Sequence, residues 1–136
     1  MIKRIEDLLI KHEGLKLKPY RCPAGKLTIG VGRNLEDVGI TESEAMYLLR
    51  MDIERCKEEL RCIFEDFDDL PKEIQNVLID MIFNLGKSRF MNFKKMIQAV
   101  KVKNWGEMAN EMKNSNWYHQ VKNRAEELVQ IVKKFS

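Results

Sequence analysis

The hydrophobic period of this chain switches at Gly14, and no other feature constrains its fold as strongly. Before the switch, Ile2, Ile5, Leu8, Leu9 and His12 recur at helical spacing, and Glu6 and Asp7 sit toward the end where a helix dipole favours acids. A helix over 2–13 follows, with Gly14 placed to stop it. Beyond Gly14, Leu27, Ile29 and Val31 alternate with Lys26, Thr28 and Gly30, and Pro23-Ala24-Gly25 supplies a turn. A period of two on either side of a turn predicts a β-hairpin over roughly 15–22 and 26–33. With Cys22 opposite Lys26, Tyr20 faces Thr28, and these four side chains share one face.

The helical period returns at Thr41-Glu42-Ser43-Glu44, a capping-box sequence. The helix it opens carries Ala45, Leu48, Leu49, Ile53, Cys56 and Leu60 on one side and is long enough to connect a β lobe to a helical one. Pro71 suits the first turn of a central helix whose stripe is Ile74, Val77, Leu78, Met81, Ile82 and Leu85, ending at Gly86. Further helices are expected at about 92–101, 105–113 and 121–134. The fold class is therefore α+β and mostly α: a small N-terminal hairpin lobe and a larger C-terminal helical lobe, with a cleft between them. We expect one domain over 1–136, with the β lobe at about 14–40 and the helical lobe at about 60–136 plus the helix 2–13.

Apolar residues make up 44% of the chain and charged ones 33%, the balance of a globular protein, and no apolar run reaches bilayer length. Net charge by segment is +5 over 1–35, −8 over 36–70 and +6 over 71–136. The two ends could present basic surface to an anionic polymer while the middle repels one, but the modest net charge of +3, with no helix-turn-helix or stacking platform, argues against a nucleic-acid partner. The N-terminus reads as mature protein without a signal peptide. Cys22, Cys56 and Cys62 form neither a disulfide framework nor a zinc pattern, and Cys56 and Cys62 are expected to be small core residues. Only His12 and His119 are present, so histidine-based metal clusters are unavailable.

Glu13 stands out chemically. In the last turn of a helix it faces the negative end of the dipole, which favours the protonated carboxyl. A protonated acid is what cleavage of a glycosidic bond requires. Taken alone, the residue reads better as a solvated Glu beside a terminating glycine.

The segment Glu13-Gly14-Leu15-Lys16-Leu17-Lys18-Pro19-Tyr20, then Cys22, then Gly25-Lys26-Leu27-Thr28-Ile29-Gly30-Val31-Gly32, resembles the active-site helix and hairpin of phage-type lysozymes, glycoside hydrolase family 24, the endolysins similar to the T-even phage enzyme. The family pattern is Glu, eight residues, Asp or Cys, five residues, Thr, and both gaps match. Met81-Ile82-Phe83-Asn84-Leu85-Gly86 is similar to the family's central-helix segment. Trp117-Tyr118-His119-Gln120-Val121-Lys122-Asn123-Arg124-Ala125 follows its Trp-Tyr…Gln…Asn-Arg-Ala pattern.

The resemblance implies a lysozyme-like fold and a role for each matching residue. Glu13 would be the general acid and Arg124 would pair with it and orient it. Thr28 would hold the attacking water or the sugar, Phe83 and Asn84 would line the cleft, and Gly30 would let saccharide approach the hairpin backbone. Cys22 stands where many members carry Asp. As a thiolate, its ionisation assisted by Arg21 and Lys26, it would act as base or nucleophile. Arg33 replaces the histidine common after the second hairpin glycine, so the ion pairing there must differ, and the loop from Arg33 to Thr41 is shorter than in typical relatives.

The implied activity is that of a muramidase cutting the β-1,4 bond between N-acetylmuramic acid and N-acetylglucosamine in bacterial peptidoglycan, without metal or cofactor. The alternatives are a lytic transglycosylase relying on Glu13 alone and a catalytically silent module that binds muramyl glycan. As an endolysin, the protein is expected to be a monomer with no stable membrane insertion. It would stay in the bacterial host cytoplasm until lysis and reach the wall through a separate holin.

Overall fold

The computed structural model describes residues 4–136. Contacts divide the chain into one compact unit ending at Leu48 and a second spanning Leu49–Ser136.

In the first unit, α1 runs Ile5–Glu13; the start expected at Ile2 lies outside the described residues. Gly14 ends the helix as anticipated, at φ 80°, its N–H donating to the Ile10 carbonyl at 2.8 Å. Strands β1 (Lys16–Arg21), β2 (Leu27–Gly30) and β3 (Arg33–Asn34) form an antiparallel sheet in that order. Tyr20 pairs with Thr28 as the turn predicted, Arg21 with Leu27, and the Cys22 N–H donates to the Lys26 carbonyl at 3.0 Å. The irregularity in this ladder lies between Lys16 and Tyr20. Pro19, which has no N–H to donate, falls inside that gap.

The third strand corrects the simple hairpin expected over 26–33. The chain reverses at Val31-Gly32, with Gly32 at φ 65°, and two residues are too few to carry a readable period. Arg33 makes β3 an anchor: its guanidinium donates to both oxygens of Glu44 at 2.9 and 2.7 Å and to the Gly39 carbonyl at 3.0 Å. Glu44 also accepts from the Thr41 N–H at 2.9 Å while the Thr41 hydroxyl accepts from the Glu44 N–H at 3.1 Å, completing the capping box.

That box opens α2 (Glu42–Ile63), within which the boundary between the units falls. After a 3-10 turn at Phe67–Asp69 come α3 (Lys72–Leu85), α4 (Lys87–Phe90), α5 (Lys94–Lys101), α6 (Trp105–Lys113), α7 (Asn116–Gln120) and α8 (Lys122–Lys133). The one-turn α4 and α7 were not expected, because four or five residues complete too little of a helical period to show one. Asn104 caps α6, accepting from the Glu107 N–H, and Ser115 caps α7, accepting from the Tyr118 N–H.

All six residues of the predicted α3 stripe are buried. They pack with Met96, Val100, Met108, Met112, Ala125 and Val129 from α5, α6 and α8, so these methionines fill core as expected. Full burial of each large aliphatic side chain stabilises the unit by roughly 1.5–3 kcal/mol before entropy is set against it. Gln75 is buried on α3 and satisfied, donating to the carbonyls of Leu70 at 2.9 Å and Asp68 at 3.1 Å. Cys56 is in the core as expected, but Cys62 is exposed. Six steps along a helix leave the two side chains about 120° apart, and the packing of α2 puts Cys56 on the core side and Cys62 on the solvent side.

Candidate active site

In the first unit, the site residues of the sequence occupy the end of α1 and the sheet beside it. Glu13 is the last residue of α1 and is exposed to solvent. Its carboxylate lies over Gly32 so closely that a β-carbon there would stand 2.7 Å from Oε2 and 3.1 Å from Cδ. Gly30, at φ 69°, has open space where its side chain would be, leaving the hairpin backbone approachable on that side.

Cys22 is half-buried at the turn, with its backbone closed onto Lys26. Hydrogen bonding from the backbone at Lys26, then Ala24, draws the thiol below the ordinary cysteine range, against a smaller opposing effect of burial, and the Thr28 hydroxyl adds to the lowering. The cause differs from the one expected. Arg21 is bound to Glu36 at 2.8 Å and Lys26 to Asp37 at 3.5 Å, so each cation is already matched by a carboxylate. Oriented backbone dipoles, invisible to charge counting, stabilise the anion instead.

Thr28 is the most deeply buried described residue of the sheet, 3% exposed, and its hydroxyl donates to the Lys26 carbonyl at 2.8 Å. Its single proton is therefore committed to the same turn that shapes the Cys22 site, and ionisation of the thiol offers that proton a competing acceptor.

In the second unit, Phe83 is half-exposed on the polar side of α3 and lines a cavity of about 340 Å³ with Leu49, Ile53, Asn76, Asp80 and Arg124. Arg124 donates through Nε to Asp80 Oδ1 at 2.6 Å and through a terminal nitrogen to the Asp80 carbonyl at 3.4 Å. Asp80 was not singled out from the sequence. The available signal was an acid within the apolar run of α3, one turn ahead of Phe83 and Asn84.

Asn84 accepts from the Trp117 indole N–H at 2.9 Å, and the Trp117 ring meets Phe93 edge-to-face with centroids 6.0 Å apart. The Trp-Tyr…Arg-Ala pattern thus has a structural reading within this unit. Trp117 and Ala125 are buried, Tyr118 donates its hydroxyl to Glu126, and Arg124 stays at the surface with Asp80. The bond to Glu126 raises the Tyr118 phenol above its usual range and lowers Glu126 below its own. Among the described residues no cluster of His, Cys, Asp and Glu is arranged to hold a metal ion.

An acid ending the first helix, a small antiparallel sheet against it and a helical unit built around α3 together define an α+β protein of lysozyme-like fold. The chain belongs to the Phage lysozyme family, whose model matches residues 10–133 and so takes in Glu13, Cys22, Thr28, Phe83, Asn84 and Arg124. It is 29% identical to "Probable T4-type lysozyme 1" of Dictyostelium discoideum across 97% of this chain and 95% of that one. It is 26% identical to "Probable T4-type lysozyme 2" of the same organism across 96% and 94%. Identity to an endolysin of Acyrthosiphon pisum secondary endosymbiont phage 1 is 33%, over 61% of this chain and 58% of the relative. Membership places the protein among lysozyme-type glycosidases, whose substrate is peptidoglycan.

Proposed function

We propose that this protein is an endolysin-type muramidase that hydrolyses the β-1,4 bond between N-acetylmuramic acid and N-acetylglucosamine, with Glu13 as general acid. The observation that carries the reading is the Glu13 carboxylate, held at the end of α1 against Gly32 and open to solvent on its other side.

In the proposed reaction Glu13 gives its proton to the leaving glycosidic oxygen as that bond to the anomeric carbon breaks. Water attacks the carbon from the opposite side, and the Cys22 thiolate takes the proton that the water loses. The backbone hydrogen bonds that favour the thiolate support Cys22 in a role more often filled by a carboxylate. Burial and the bond to Lys26 support Thr28 as the residue that steadies Cys22; its contact with water or sugar rests on the family pattern. Gly30 would admit the saccharide to the hairpin backbone; the assignment of Phe83 and Asn84 to the saccharide rests on the family pattern. The assignment of Arg124 to orient the acid also rests on the family pattern, and Asp80 keeps its guanidinium fixed in the structure. In the biological setting that follows, the protein is held in the host cytoplasm until a holin gives it access to the wall.

Renaturing gels cast with peptidoglycan test the reading. Wild type should clear the gel, Glu13→Gln should not, and Cys22→Ala should be severely impaired. Muropeptides lighter by one water, with anhydro ends, would instead identify a lytic transglycosylase. Binding without clearing by wild type would identify a silent glycan-binding module.

A further inference from the structure

We propose that Gly32 is the positioning residue of the Glu13 carboxylate: the space vacated by its missing side chain is the space the acid occupies. The inference rests on Glu13 being the proton donor proposed above.

Glycines with positive φ are frequent in the first unit, and most are explained by backbone conformation alone. Gly25 at φ 80° and Gly30 at φ 69° have nothing within 4 Å of a built β-carbon, and Gly39 at φ 65° would meet only the Leu35 carbonyl at 3.9 Å. Gly32 shares the backbone of Gly39, at φ 65°, but its β-carbon would stand 2.7 Å from Oε2, 3.1 Å from Cδ and 3.2 Å from Cγ of Glu13. Three consecutive atoms of one side chain therefore rest on the glycine. Among the glycines of the first unit, Gly32 is the one whose bare backbone leaves room for a carboxylate, and that carboxylate is Glu13's.

The mechanical consequence is specific. Oε2 is the far end of a flexible side chain, so a methyl at position 32 moves the acid rather than disrupting the sheet. Moving from 2.7 Å to an ordinary contact beyond 3.4 Å displaces the oxygen by about 0.7 Å. Proton donation depends on that oxygen lying in line with the leaving group, and a misplacement on the order of 1 Å can cost roughly a hundredfold in rate. Stability should respond differently, since the strain of a side chain at φ 65° is common to Gly32 and Gly39.

The full chain carrying Gly32→Ala is to be compared with Gly39→Ala in three measurements: thermal stability, kcat and KM on soluble peptidoglycan fragments, and the carbon-13 resonance of the Glu13 carboxyl, assigned with Glu13→Gln. Both substitutions should lower the melting temperature by similar amounts. Only Gly32→Ala should lower kcat by on the order of a hundredfold, with KM changed less than about threefold, and only it should move the Glu13 resonance. Retention of kcat by Gly32→Ala within about twofold, or an equal loss in Gly39→Ala, would overturn the proposal. If wild type leaves peptidoglycan uncut, the muramidase reading fails and the resonance still decides: movement in Gly32→Ala alone supports the positioning contact, and its absence refutes it.

Discussion

Asn84→Ala isolates the contact that ties α3 to α7. The indole N–H of Trp117 donates to Asn84 Oδ1 at 2.9 Å, and Trp117 is only 4% exposed, so little water can replace the lost acceptor. Leaving a buried donor unsatisfied costs about 1–3 kcal/mol, whereas the half-buried Asn84 side chain contributes little apolar burial of its own. The expected loss is therefore about 1–3 kcal/mol, nearly all of it from the orphaned N–H. Trp117→Phe removes the donor instead and leaves Asn84 able to reach water. A cycle with the double variant should then give a coupling on the order of 1 kcal/mol. Urea unfolding followed by tryptophan emission is the assay, Trp105 being the other indole in the chain. Asn84→Asp, which keeps an acceptor, should retain most of the stability. A loss below about 0.5 kcal/mol for Asn84→Ala, together with no coupling in the cycle, would refute the assignment of this bond as a structural tie.

The remaining predictions address the sheet, the thiol and the core. The guanidinium of Arg33 and the Thr41 amide hold Glu44 at about 2, down from 4.5, so the folded form binds this proton less readily than the unfolded chain. The stabilisation is accordingly complete above pH 4.5 and lost as pH falls toward 2. Hydrogen exchange in β3 should show wild type and Glu44→Gln, which keeps the cap but not the charge, converging at the acid end. Cys22 should react with iodoacetamide at lower pH than an ordinary peptide cysteine, and Thr28→Val should move that profile upward, as read by mass spectrometry of the modified peptide. Met81→Ala, at a site with no exposed surface, should cost about 2–5 kcal/mol in chemical denaturation.

Much of this fold was legible because its determinants are local. Helix periodicity located the buried stripe of α3, the Thr41/Glu44 box located the start of α2, Gly14 and Gly86 marked two helix ends, and the Pro23-Ala24-Gly25 turn set Tyr20 opposite Thr28. Each depends on residues a few positions apart, where spacing translates directly into geometry. The spacing of Glu13, Cys22 and Thr28 was legible for the same reason, since one helix end and one hairpin carry all three. Tertiary structure alone decided the pairs that join distant segments. Asp80 meets Arg124 across 44 residues and Asn84 meets Trp117 across 33, through side-chain directions set by how α3, α7 and α8 pack. It also turned Cys62 outward, assigned the Cys22 shift to backbone hydrogen bonds rather than nearby cations, and placed the Glu13 carboxylate on the bare backbone of Gly32. Sequence spacing specifies which face of an element a side chain occupies, whereas the atom it finally touches depends on the packing of the whole unit.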